Sequence, residues 1–200
     1  MTRLLTPRYL LTLLLLGSLT LSAASADATR LQHIVDTKVH SITDILNDAS
    51  IDKPHKNKKI MDIAEDMIDF DIMAKLSLGK EGWVQLTPEE QHEFVTLYVE
   101  SIKKSYLDKL YLYNGQSVRI APAVQAKSTR IEVPSYILTD DGEIEILYKF
   151  YLDSKGKWAI YDINIAGVSI VQTNRAQFNE FLKSASAQQL LEKLRDTEPL

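Results

Sequence analysis

Few residues in this chain could do chemistry, and Asp162 is the first of them. It is the carboxylate inside the strand-like run 158–165, near Trp158 and Tyr161. A general acid or base there needs burial to hold its proton and a second polar group within hydrogen-bond reach. Arg175 could be that group, and the pair would then be a structural strand-to-helix ion pair that keeps the carboxylate charged. Both readings stay open on sequence. Ser169 follows Gly167 and Val168 without the Gly-x-Ser-x-Gly elbow of a nucleophile, and its place suggests a helix cap. His33, His40, His55 and His92 lack the one-turn spacing of a metal pair. With no cysteine, thiolate catalysis, disulfides and cysteine-based zinc sites are excluded. No glycine-rich phosphate loop occurs, so neither metal nor cofactor is expected.

The elements that must position these residues divide the chain in two. In the first half, Leu31, Ile34, Val35, Ile42, Ile45 and Leu46 recur at helical spacing over residues 27–49. A second helix is expected around Ile60 to Ile68, its first turn carrying a basic cluster at 56–59. A short third one ends at Gly79, leaving Trp83 in a loop. Thr87-Pro88-Glu89-Glu90 is a helix start signal. The helix it opens carries Phe94, Tyr98, Ile102, Tyr106 and Leu110 four apart.

In the second half, strand-like runs over 117–124, 129–138, 143–152 and 158–165 are separated by turn residues. The last run puts Ala159, Tyr161, Ile163 and Ile165 on one face and Trp158, Ile160, Asp162 and Asn164 on the other. Gly167 breaks it, and a closing helix follows. The expectation is an α+β fold: a curved antiparallel sheet of about four strands, with helices on one face and an apolar cavity between.

The 200 residues are 45% hydrophobic and 25% charged, as in a globular protein of one domain. A net charge of −4 argues against binding driven by nucleic-acid phosphates. At the N-terminus, Arg3 and Arg8 precede an apolar run, and Ala24-Ser25-Ala26 has the small-x-small pattern of a secretory cleavage site. Residues 1–26 therefore read as a cleaved signal peptide, and 27–200 as a single exported, periplasmic domain, expected as a monomer.

Trp158, Tyr161 and Asp162, then Gly167-Val168-Ser169, Asn174-Arg175 and Gln177-Phe178, resemble the C-terminal signature of the MlaC (toluene-tolerance) family. Phe70-Asp71, Ala74, Leu78-Gly79, Trp83, Thr87-Pro88-Glu89, Phe94, Tyr106 and Leu110 follow the family's order upstream. The resemblance implies a fold like the nuclear-transport-factor cone and a non-enzymatic role. In that role the protein carries phospholipid between an outer-membrane lipoprotein–porin complex and an inner-membrane ABC transporter complex, sustaining outer-membrane lipid asymmetry. The residues expected to line the lipid space are Phe94, Tyr98, Ile102 and Tyr106 on the helix, and Val133, Ile137, Ile146, Tyr148, Phe150, Ile163, Ile165 and Val168 on the sheet. Trp158, Asp162, Gly167, Ser169 and Arg175 are the structural signature. A carrier of hopanoid-type lipids, an enzyme on a similar cone using Asp162, and an interaction module presenting the 56–59 turn are the alternatives.

Overall fold

The computed structural model describes residues 14–196, with side chains from residue 26 onward. Arg3, Arg8 and the apolar side chains of the expected leader lie outside the described residues. Four helices come first: α1 (Leu14–Asn47), α2 (Lys53–Met67), α3 (Phe70–Trp83) and α4 (Pro88–Leu110). Six strands follow: β1 (Val118–Ile120), β2 (Val124–Lys127), β3 (Arg130–Thr139), β4 (Gly142–Leu152), β5 (Trp158–Ile165) and β6 (Val168–Ser169). Helices α5 (Ile170–Phe181) and α6 (Ala187–Arg195) close the chain. The fold is α+β, with one antiparallel sheet of six strands. The two strands beyond the expected four have plain causes. Pro122 lies in a break that splits the first run, so β1 and β2 both pair with β3, and two residues after Gly167 add β6.

Side chains set the helix starts. Asp52 accepts from the His55 amide at 3.0 Å, and Asp69 from Ile72 at 2.9 Å. Thr87 and Glu90 form a reciprocal capping box, with Pro88 in the first turn. Gly79, at φ 77°, breaks α3 where its end was expected, but one more turn follows. Trp83 belongs to that turn and not to a loop, and its ring meets Phe94 edge-on at 6.4 Å.

Two cores result. One joins α3 through α6 around Leu78, Phe94, Tyr98, Phe178 and Leu190. The other packs Leu31 and Val35 of α1 on Ile131, Val133, Phe150 and Ile160 of the sheet.

The expected alternation along β5 fails at one residue, and the reason is a β-bulge. Lys149 pairs with Asp162, but the next residue, Phe150, pairs with Ile160, so Tyr161 is extra. The extra residue shifts parity. Trp158 and Ile160 join Ile163 and Ile165 opposite the apolar β4 row Leu152, Phe150, Tyr148 and Ile146. Asp162 and Asn164 stand on the other face, opposite Lys149 and Leu147. At the bulge, Ile68 forms a parallel bridge to Ile160, and the Asp69 amide donates to the Ile160 carbonyl at 2.9 Å. That segment covers part of an otherwise open sheet edge.

Beyond β5, Ala166 (φ 49°) and Gly167 (φ 81°) make a two-residue turn with both φ positive, matching the twist of a hairpin. Ser169 then caps α5, accepting from the Gln172 amide at 3.0 Å, and donates its hydroxyl to Asp162 at 2.8 Å. The other Asp162 oxygen accepts from the Val171 amide at 3.1 Å, and Lys149 closes the knot at 3.4 Å.

Two predictions test this junction. Asp162→Ala, which leaves the Val171 amide without its acceptor and Lys149 facing no counter-charge, is expected to cost about 3–5 kcal/mol in urea unfolding. Asp162→Asn, which keeps an acceptor for Val171, costs less; equal losses would mean that charge plays no part. Ala166→Asn, which tolerates positive φ better than Ala, is expected to raise stability by up to about 1 kcal/mol. A lower melting midpoint would show that Ala166 is not held left-handed.

Candidate functional site

Strand register assembles the candidate surface, because residues paired across strands share a face. Val118, Ile137 and Ile144 make one row; Ile120, Ser135, Ile146, Ile165 and Val168 make the next. Val133, Tyr148 and Ile163 form the third, and Ile131, Phe150 and Ile160 the fourth. Every sheet residue expected to line a lipid space falls on this one face.

Burial along the face is graded. Ile131 and Val133 have no exposed surface and Phe150 has 2%, under Leu31 and Val35 of α1. Ile137, Ile146, Tyr148, Ile163 and Ile165 are half-buried. At the end near the β3–β4 turn, Ile144 is 40% exposed and Val168 59%. Val168, expected inside, stands on the outer rim. Tyr148 lies between these regimes. Burial pushes its phenol above the usual tyrosine range, with the Ser135 hydroxyl opposing the shift. Yet the residue is half-buried by surface and not fully enclosed.

The expected helix residues divide in the same way. Phe94 and Tyr98 are wholly buried in the helical core, both within 6.5 Å of the Phe178 ring. The Tyr98 hydroxyl accepts from Ser77 at 3.0 Å, a pull that only partly offsets the rise burial causes. Ile102 and Tyr106, further along α4, are half-buried against the same core as Ile163 and Ile165. Burial raises the Tyr106 phenol as well. Past them, α4 is tied to α2. Lys53 reaches Asp108 at 2.8 Å and lies over the Tyr111 ring, and the Tyr111 hydroxyl donates to Asn57 at 2.7 Å.

One sequence expectation is corrected. Asp162 is not paired with Arg175, because strand register sets it opposite Lys149 and the turn brings Ser169 and the Val171 amide to it. With 3% exposure and both oxygens engaged, it faces no open space in which a substrate could meet it. The Arg175 guanidinium instead covers Gly79, where an added Cβ would stand 3.4 Å from its Nε. The basic residues of the α2 start are largely occupied within the chain. Lys56 donates to the Leu46 carbonyl at 2.6 Å, and Lys58 meets Asp62 at 2.8 Å.

Among the described residues no cluster of histidine and carboxylates could hold a metal, and no helix is long and apolar enough to cross a membrane. Two open clefts flank the face. One, of about 410 Å³, lies at its buried end between α1 and the β4–β5 turn, lined by Leu31, Met67, Phe150 and Trp158 with Arg30 and Lys157. The other, of about 300 Å³, lies between α1 and the loop before β1. Neither cleft was anticipated in the sequence, since each joins segments far apart in the chain.

Comparison with known proteins follows the same fold. Toluene tolerance protein ttg2D of Pseudomonas putida is 21% identical over 117 residues, 58% of this chain. The matched region spans about half of that relative, 54% of its length. A phospholipid-binding protein from Ralstonia solanacearum, solved in complex with a phospholipid, superposes with a TM-score of 0.70 at 23% identity. The superposition covers 82% of this chain and 94% of that one. At that identity the likeness shows the fold. The family model of the MlaC protein matches residues 35–196, from the middle of α1 to the end of α6, and the chain therefore belongs to the MlaC family.

Proposed function

We propose that this chain is a soluble phospholipid carrier of the periplasm. It would pass lipid between an outer-membrane and an inner-membrane complex, and so sustain the lipid asymmetry of the outer membrane. One observation carries the reading: a largely apolar sheet face, interrupted by Ser135, that is packed under α1 at one end and only half covered at the other. A core built for stability alone is close-packed, and its apolar rows are buried from end to end. Here Ile137, Ile146, Tyr148, Ile163 and Ile165 retain accessible surface, as do Ile102 and Tyr106 of α4, which pack against the same helical core as Ile163 and Ile165. We assign these seven as the lining of the space for acyl chains. Phe94, Tyr98, Val133 and Phe150 form its packed walls, and Val168 its rim.

The energetics fit a carrier. Exposing about thirty methylenes of two acyl chains to water costs on the order of 20 kcal/mol, which prevents unaided crossing of an aqueous layer. An apolar compartment replaces that exposure with protein contacts, so exchange with a bilayer is nearly balanced. No acid or base is required, in keeping with the engaged and buried Asp162. The Ralstonia protein of the same fold was solved with a phospholipid, and the family supports the same cargo class here.

Native mass spectrometry of the mature protein purified from its own periplasm, followed by lipid extraction, tests the reading. Bound phospholipid near one molecule per chain is expected, and protein that arrives empty and takes up no lipid from vesicles would sink it. Tyr148→Trp and Ile163→Trp are expected to lower lipid occupancy severalfold by filling the space, with unfolding midpoints little changed. Unaltered occupancy in both variants would remove these rows from the lining.

A further inference from the structure

The cleft of about 300 Å³ between α1 and the loop before β1 has a composition that the apolar face lacks. It is lined by His40 and Thr43 of α1 and by Tyr113, Gly115, Gln116, Ser117 and Val118. Its size falls at the lower end of small-ligand sites. Local hydrogen bonds hold several of its polar groups in place. Gly115, at φ 77°, lets the loop fold back, and the Asn114 amide donates to Gln116 Oε1 at 2.7 Å. That bond holds the Gln116 side chain by its oxygen and leaves Nε2 as a free donor. Thr43 donates its hydroxyl to the His40 carbonyl at 2.8 Å, so its lone pairs remain as acceptors. His40 Nδ1 donates to the Asp36 carbonyl at 2.8 Å, with the Asp36 carboxylate 3.4 Å from the same nitrogen, leaving Nε2 as an acceptor. Among the described residues, the hydroxyls of Tyr113 and Ser117 bond to no other protein group.

The position of the cleft matters as much as its lining. Val118 borders it and belongs to the apolar row with Ile137 and Ile144, at the incompletely covered end of the face. A lipid whose tails lay along that face would have its head within reach of the cleft. The lining contains hydroxyls, an amide and an imidazole, but no lysine, arginine, aspartate or glutamate.

We infer that this cleft is the head-group subsite of the bound lipid, and that it takes a phosphate-linked, hydroxylated head of the glycerol type in preference to an ammonium head. Neutral donors at Gln116, Ser117 and Tyr113 suit phosphate and hydroxyl oxygens, and Thr43 can accept from a hydroxyl. No carboxylate lines the cleft, and the Asp36 carboxylate beside it already faces His40 Nδ1, so an ammonium group meets only neutral acceptors there. This rests on the carrier reading and adds head-group choice to it.

The test uses lipid-stripped mature protein and three lipids with the same tails: diacylglycerol, phosphatidylethanolamine and phosphatidylglycerol. The wild type is expected to retain phosphatidylglycerol about tenfold better than phosphatidylethanolamine, the effect of one or two hydrogen bonds. The triple variant Tyr113→Phe, Gln116→Leu, Ser117→Ala is expected to narrow that preference to within about twofold. Its retention of diacylglycerol should match the wild type, which also reports an intact fold. Equal retention of the two phospholipids by the wild type, or a preference that survives the triple variant, overturns the subsite and leaves the carrier standing. Failure to retain any of the three, diacylglycerol included, overturns both. Displacement of phosphatidylglycerol by glycerol phosphate alone overturns the lipid head as the source and makes a soluble phosphorylated polyol the ligand.

Discussion

One inserted residue governs the layout of this protein. If β5 ran without Tyr161 as an extra residue, a strictly alternating strand could not put Ile160 and Ile163 on the same face. The bulge makes the β5 row of the apolar face continuous by bringing Trp158 and Ile160 to the side of Ile163 and Ile165, while the unshifted register beyond it sets Asp162 opposite Lys149 and beside the start of α5. Those two features are neighbours. The carboxylate holds Ser169 and the Val171 amide, which fixes where α5 leaves the sheet, and α5 carries Phe178 into the helical core. The continuity of the apolar surface and the placement of the helices beside it thus meet within one short stretch of β5.

Stability and function draw on different parts of that surface. The two packed cores contain the wholly buried side chains, and at about 25 cal/mol for each Å² of apolar area hidden they supply most of the hydrophobic driving force. The half-covered rows add less, because their surface is still partly accessible. A fold can leave such rows incomplete only if the packed regions on either side hold it without them. The α1–sheet core does this at one end, and the α3–α6 core does it along the β5 edge.

Much of this architecture is legible in the sequence because turn chemistry and period are local signals. Asp140-Asp141-Gly142 and the Asp153 to Gly156 turn place the boundaries of β3, β4 and β5 closely. Thr87-Pro88 marks the start of α4 to the residue. What stays illegible depends on pairing between distant segments. Nothing in Trp158 through Ile165 declares a bulge, so the face assignment from alternation alone goes astray at Ile160. Asp162 then seems free to meet Arg175, the nearest cation on the following helix, when strand register hands it to Lys149. The aromatic stripe of α4 has the same ambiguity. Its spacing shows one apolar face, but only the packing of Phe178 reveals that Phe94 and Tyr98 are solid core while Ile102 and Tyr106 are not.

The gradient along the face also gives a carrier a polarity. On the carrier reading, tails lying among Ile146, Tyr148, Ile163 and Ile165 would run toward the packed Phe150 and Leu31 at one end and toward the exposed Ile144 and Val168 at the other. The cleft with hydrogen-bonding walls borders the exposed end, whereas the one bearing Arg30 and Lys157 lies at the packed end. An amphiphile fits such a gradient in one orientation, with its apolar portion toward the packed end and its polar portion toward Ser117 and Gln116. The reverse orientation would bury a head group among rows that offer it no hydrogen-bond partner except Ser135 and Tyr148, a penalty of several kcal/mol for a phosphate stripped of water. Orientation is therefore imposed by desolvation, without any need for a charged anchor.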